Sequence, residues 1–357
     1  MSEKELIKCT IERRCSDFLP RDIYEGWMWP KIQSRLIKFL GAQDFEDMLN
    51  KLNIKIRWLT AKYNGPALPD GSYDRIASPH SVYSLNSSIW GIVPSLMKEH
   101  GLSSKGHPLS NVQSIYEIEN YKWPSPENFD YKTLKVNSEK MKNNFLIVGG
   151  FSPIFYLISD LFGMEEILLY FMLKEKQKLI VSVLEKIYNF YSKYYENIYN
   201  SCGNLIDGIA FGDDFSSQEN MLLSPEHWRK LFKPLWKKLF ADAKKRGYKV
   251  IFHSCGAVSK VIPDLIEIGL DLLYSIQPKA TDMSLSFLKK QFGKDISFYG
   301  GIDVQELLPF GSESDIKNEV EKNKKIFSES GGLILSTSHV IMEDVPVENI
   351  CALYGCV

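Results

Sequence analysis

Val250-Ile251-Phe252-His253-Ser254-Cys255-Gly256 reads as a buried β-strand that ends in two soft metal ligands and a glycine. Side chains alternate along a strand, so residues two apart share a face. His253 and Cys255 therefore point the same way at the carboxyl end of this strand. An imidazole and a thiolate presented together suit one metal ion, most naturally zinc. Two ligands do not complete a zinc site, and a buried cysteine or a satisfied core histidine is also ordinary packing.

Working outward, the same grammar repeats on both sides. Residues 144–150 form an apolar run ending in Gly149-Gly150, and residues 205–211 another ending in Gly212-Asp213-Asp214. After the opening strand come runs at 270–277, 296–303 and 332–339, closing on Gln277, Asp303 and His339. Helical patterns separate them. Ser224-Pro225 supplies an N-cap and a first-turn proline, Pro234 predicts a kink, and Gly247 closes the helix. Gly269 stops the next one, and Ser312-x-x-Asp315 resembles a capping box. The tyrosines 188, 191, 194, 195 and 199 on the helix before residue 200 are read as packing.

Strand, helix, strand, helix in repeating order means parallel strands joined by crossover helices. At least five such units follow residue 144. Continuous apolar strands with polar ends favour an α/β protein of the (β/α)8 TIM-barrel type, in which all carboxyl strand ends meet on one face. An open doubly wound sheet is weaker, since no G-x-G-x-x-G turn follows any strand. On the barrel reading, His253, Cys255 and His339 converge as three protein ligands, leaving the open position of a catalytic zinc site. Asp214 and Asp303 stand at strand tops as candidate catalytic groups, with Asp213 and Gln277 as candidate substrate-binding groups. Phe151 and Ser152 border the same face.

The N-terminal part is less regular. Residues 1–60 are expected as a helical extension, broken near residues 18–21 and carrying a short strand at 54–59. Residues 61–143 hold seven prolines, from Pro66 to Pro126, and are expected as irregular structure covering one face of a single barrel domain over 1–357. The 357 residues suit such a barrel with insertions. A net charge of −1 gives no basis for nucleic-acid or anionic-membrane binding. The greasiest window, residues 154–173, contains Asp160, Glu165 and Glu166 and is read as a buried helix. Six cysteines without C-x-x-C spacing, behind a start that is no signal peptide, lead to the expectation of a cytoplasmic protein with reduced thiols.

Several motifs together resemble the uroporphyrinogen decarboxylase-like superfamily. They are Gly212-Asp213-Asp214, Phe252-His253-Ser254-Cys255-Gly256, Gly300-Gly301-Ile302-Asp303-Val304-Gln305 with Leu308-Pro309 and Gly311, and Ser338-His339 followed by Asp344-Val345-Pro346. Upstream, His107-Pro108-Leu109 and Trp123-Pro124 through Phe129-Asp130 are similar to the same group. The resemblance implies a (β/α)8 barrel with a helical N-terminal extension. The arginine-rich N-terminal motif of true uroporphyrinogen decarboxylases is absent from Phe18 to Pro30, so a porphyrinogen substrate is not expected.

The other large branch is the zinc- and corrinoid-dependent methyltransferases, whose zinc ligands are a His-x-Cys pair and a late Cys. This chain carries His253-x-Cys255, and His339 stands where that late Cys falls. The resemblance implies zinc and methyl transfer between a small substrate and a corrinoid. No Asp-x-His-x-x-Gly signature of a cobalt-ligating domain occurs in the sequence, so a cobalamin-carrying partner protein is expected. Two other functions fit the same frame: a metal-independent decarboxylase-like lyase acting on a small acid, with His339 and Asp214 handling protons, and a non-catalytic ligand-binding barrel.

Overall fold

Seven apolar runs become seven strands of one parallel sheet: β1 (Ile56–Leu59), β4 (Phe145–Gly149), β5 (Gly208–Gly212), β6 (Lys249–His253), β7 (Leu272–Ile276), β8 (Ser297–Ile302) and β9 (Leu333–Thr337). In the computed structural model residues 1–24, 28–66, 89–92 and 106–356 are described. The order across the sheet is β1-β4-β5-β6-β7-β8-β9, and every adjacent pair is parallel. Two further strands, β2 (Lys62–Tyr63) and β3 (Phe129–Asp130), form a separate antiparallel ladder.

Alternation divides the sheet into an inner and an outer face. Ile56, Phe145, Ile147, Ala210, Ile251, Leu272, Tyr274, Tyr299 and Ile334 join one apolar cluster, against which Trp58 packs. Their neighbours Leu146, Val148, Ile209, Phe211, Val250, Phe252, Leu273, Phe298 and Leu333 pack with the helices in a larger one. A sheet buried on both faces reads as continuous apolar sequence, which is why these strands were legible. Ile7 and Ile11 of the helix Glu3–Ile11 enter the inner cluster. Ser297, the first residue of β8, donates to the Ile11 carbonyl at 2.7 Å, which puts this helix at the amino ends of the strands.

Among the described residues, the expected eight strands are seven. Beside β9 runs an N-terminal segment instead: the Leu335 amide donates to the Pro20 carbonyl at 2.8 Å, and the Asp22 amide to the Leu335 carbonyl at 3.1 Å. The Asp22 carboxylate accepts from Trp58 Nε1 on β1 at 2.7 Å, so both sheet edges approach this one segment. Residues 20–23 lack an apolar run of strand length, so the sequence pattern did not mark them.

Local signals mostly act where the sequence puts them. Ser224 caps Pro225–Leu231, and the helix breaks at Phe232 before restarting as Lys233–Lys245 with Pro234 in its first turn. The Ser312 capping box is present. The single helix expected at 154–173 is two, Phe155–Phe162 and Met164–Met172, because Gly163 adopts φ +100 between them. The expectation of irregular structure at 61–143 fails at Tyr131–Lys140, a helix that the Asp130 side chain caps beyond the last proline of that region. Residues 67–88 and 93–105 lie outside the described residues.

The reduced-thiol expectation is also corrected, since Cys9 and Cys15 form a disulfide. Arg13 turns left-handed just past the helix and folds the chain back so that the two Cα atoms stand 5.4 Å apart. Among the described residues, no helix is long and apolar enough to cross a membrane.

Candidate metal centre

β5 and β6 are in register at their carboxyl ends, with Gly212 opposite His253. Beyond them the chain turns sharply, and the turns position the chemistry. Gly256 adopts φ +80, and a Cβ there would stand 2.3 Å from the Ser217 carbonyl oxygen. Only glycine permits that approach. The Gly256 amide donates to Gln277 Oε1 at 3.1 Å, so the loop after Cys255 is braced from the end of β7.

His253 and Cys255 share a face, with Sγ and Nε2 3.4 Å apart. The third member of the group is Asp214: its Oδ1 lies 3.4 Å from His253 Nε2 and accepts the Cys255 amide at 2.8 Å. The ligand atoms of Asp214, His253 and Cys255 all lie within 4.8 Å of one another. Zinc bonds to N, O and S of about 2.0–2.3 Å at tetrahedral angles separate neighbouring donors by roughly 3.4–3.6 Å. The His253 separations match that edge length, so the residues fit the ion. His253 is buried, with its ring edge-on to Phe151 at 5.6 Å and Tyr274 at 4.9 Å. Gly212 leaves room for this arrangement, since a Cβ there would meet His253 Cβ at 2.8 Å and Phe151 Cδ2 at 3.1 Å.

The electrostatics favour a cation. Burial, and then the Asp214 charge, push the Cys255 thiol well above its ordinary range. A coordinated cation inverts that preference by stabilising the thiolate directly. Burial also opposes ionisation of Asp214, but the neighbouring His253, the Cys255 amide and the His339 field outweigh it and hold the carboxyl below its usual value.

His339 stands outside the 4.8 Å donor group, in contrast to the sequence expectation of a His253, Cys255, His339 triad. It remains in the electrostatic reach of Asp214 and His253, and burial lowers its pKa. Asp213, expected at the substrate, is fully buried and accepts the amides of Phe155 and Tyr156 at 2.8 and 3.0 Å, capping that helix. Burial pushes its pKa up to about 7. Asp303, expected as catalytic, accepts the amides of Glu306 and Leu307 at 2.9 and 3.0 Å. Burial would raise its pKa, and those amides with that of Gln305 hold it low. Gln277 lies beside the donor loop as a brace. Ser152 hydrogen-bonds with the Tyr195 hydroxyl at 2.8 Å, while Phe151 reaches the imidazole.

Sequence reasoning placed Asp214 at the strand tops but not among the metal donors, and it passed over Tyr274. The period-2 pattern of β7 marks Tyr274 as inward-facing, and that signal was available.

Residues 101–357 match the family model described as Uroporphyrinogen decarboxylase (URO-D). A curated relative, the methylated-thiol--coenzyme M methyltransferase of Methanosarcina mazei, is 26% identical over 136 residues, which cover 38% of this chain and 34% of that protein. The match thus spans about a third of that relative's length. A solved structure described as a methyltransferase from Methanosarcina mazei covers 99% of this chain, and 98% of its own length is covered in turn, at 17% identity and a TM-score of 0.64. That likeness is one of fold. The family match extends over well more than half of the residues and includes every strand-end group of the site, and the chain belongs to the URO-D family.

Proposed function

We propose that this chain is a zinc-dependent methyltransferase that moves a methyl group between a small substrate and a corrinoid carried by a separate protein. The observation that carries the reading is the Asp214, His253 and Cys255 donor group at the carboxyl ends of β5 and β6. The methyltransferase relative supports the reaction class, and its methylated-thiol substrate suggests a thiol or thioether here. The curled sheet is read as a (β/α)8 barrel whose eighth position is taken by residues 20–23.

When bound, zinc supplies Lewis acidity that lowers the pKa of a coordinated thiol or hydroxyl and yields a nucleophile at neutral pH. Asp214, His253 and Cys255 would hold the ion, and three protein donors would leave it open to a substrate group. Asp214 also fixes the Cys255 backbone through the 2.8 Å hydrogen bond, which sets the direction of the thiolate. Phe151 and Tyr274 fix the plane of the imidazole. His339, whose pKa burial lowers, offers the substrate a hydrogen-bonding group beside the donors.

The test is a metal analysis of purified protein combined with a methyl-transfer assay. Stoichiometric zinc, and chelator-sensitive demethylation of free methylcobalamin by a thiol, are expected. Metal-free protein that decarboxylates a small acid regardless of chelator would replace this reading with the lyase.

A further inference from the structure

At the amino ends of the strands, opposite the donor group, a cavity of about 340 Å³ is lined by Phe18, Arg21, Lys51, Lys55, Glu3 and Cys356, among others. Three cationic side chains against one carboxylate make it net basic. One wall is the end of the helix Val347–Tyr354, which closes through Gly355 in the left-handed conformation. The amides of Gly355 and Cys356 both donate to the Cys351 carbonyl, at 2.8 and 3.1 Å. Such a Schellman-type ending presses the side chain two past the helix onto the one in its last turn. Here both are cysteines. Cys351 is buried, and Cys356 is partly exposed and lines the cavity.

The helix Glu3–Ile11 also ends on a left-handed residue. Its Arg14 amide donates to the Cys9 carbonyl at 2.9 Å across left-handed Arg13, and that ending brings Cys9 to its disulfide partner Cys15. Each cysteine pair thus spans a helix end that turns left-handed, at Arg13 and at Gly355.

We propose that Cys351 and Cys356 form a redox-active dithiol that is oxidised by small anionic disulfides entering the basic cavity, with Cys356 as the attacking thiol and Cys351 as the resolving one. The Cys356 thiolate attacks one sulfur of the disulfide R–S–S–R, forms a mixed disulfide and releases RS⁻. Cys351 then loses its proton and attacks the Cys356 sulfur. The protein disulfide forms and the second RS⁻ leaves. Two protein thiols are oxidised and one small disulfide is reduced to two thiolates. Arg21, whose Nη1 donates to the Tyr354 carbonyl at 2.6 Å, places a cation beside the attacking sulfur. The division of labour agrees with the opposite tendencies of the two thiols. The neighbouring thiol, then burial, raise Cys351, while that neighbour and then Arg21 lower Cys356.

The experiment treats the full chain with the anionic reagent 5,5′-dithiobis(2-nitrobenzoate), digests it with trypsin and weighs the peptide that starts at Ile326, whose cysteines are Cys351 and Cys356. Wild type should give this peptide lighter by two hydrogens, with two thionitrobenzoates released per pair. Cys351→Ala should stop at a stable mixed disulfide on Cys356, and Cys356→Ala should slow the reaction of this peptide about tenfold. Cationic cystamine, normalised to its rate with a free thiol, should react more slowly than the anionic reagent. A wild-type peptide that keeps two free thiols or a persistent mixed disulfide overturns the proposal. So does a Cys356→Ala variant that reacts at the wild-type rate, or a normalised preference for cystamine.

Discussion

The Oδ1 atom of Asp214 accepts the backbone amide of Cys255 at 2.8 Å while lying 3.4 Å from Nε2 of His253. One carboxylate oxygen thereby joins both members of the His-x-Cys pair. This relationship makes Asp214, and not His339, the third donor within 4.8 Å. Zinc titration against a competing chelator should therefore rank the variants unequally. His253→Ala and Cys255→Ala should each weaken binding more than about 100-fold, beyond the 10–100-fold expected for outer-shell partners. Asp214→Ala should fall in the same class. His339→Ala should retain stoichiometric zinc. A His339→Ala protein isolated without zinc, beside an Asp214→Ala protein that holds it, would restore the triad expected from sequence.

Gly256 is the hinge of the donor loop. Alanine at this position must adopt φ +80 and place Cβ 2.3 Å from the Ser217 carbonyl. Strain of this kind costs roughly 1–3 kcal/mol. Its relief would move the Cys255–Gly256 peptide, whose amides are tied to Asp214 and Gln277. Gly256→Ala should lower the denaturation midpoint and also weaken zinc binding. A variant that is less stable yet binds zinc normally would show that the loop tolerates the shift.

The sheet was legible because parallel strands buried on both faces leave unbroken apolar runs, and β4 to β9 all fall within such runs. His253 and Cys255 were legible for a related reason, since period-2 alternation fixes their common side. Asp214 was harder. Its place among the donors depends on how the backbone turns after Gly212, and no periodicity encodes that path. Asp213 and Asp303 illustrate the converse. Strand-top carboxylates look alike in sequence, but here Asp213 caps the helix that follows β4 and Asp303 the segment that follows β8. Residues 20–23 and the cysteine pairs depend on contacts between distant segments or on helix-end geometry, where local pattern is weak.

Asp213 carries two amide hydrogen bonds at the start of the helix Phe155–Phe162. Removing the carboxylate leaves those buried donors unsatisfied, at about 1–3 kcal/mol for each lost partner. Asp213→Ala should destabilise the protein in urea by about 2 kcal/mol or more. Zinc content in the folded fraction should stay at the wild-type value. Loss of methyl transfer at unchanged stability would instead assign Asp213 to the substrate.

Asp22 gives a pH signature of the contact between residues 20–23 and β1. It is fully buried, with Oδ2 accepting from Trp58 Nε1 at 2.7 Å and from the Tyr299 hydroxyl at 2.9 Å, while Oδ1 has no hydrogen-bond partner among the described residues. Burial raises its pKa from 3.8 to about 6, against the lowering effect of those two hydrogen bonds. Between these values the folded state holds a proton that the unfolded state has released. The contribution of Asp22 to stability is therefore greatest below the unfolded pKa and is lost as pH rises through the folded one. The difference between the two values corresponds to roughly 3 kcal/mol. A carboxamide cannot ionise, so Asp22→Asn should remove this component. Urea midpoints of wild type relative to the variant should decline from about pH 4 to about pH 6 and then level off. Difference curves that are flat across this window would show that Asp22 is charged in the folded protein throughout, and that its unpartnered oxygen is not held by a proton.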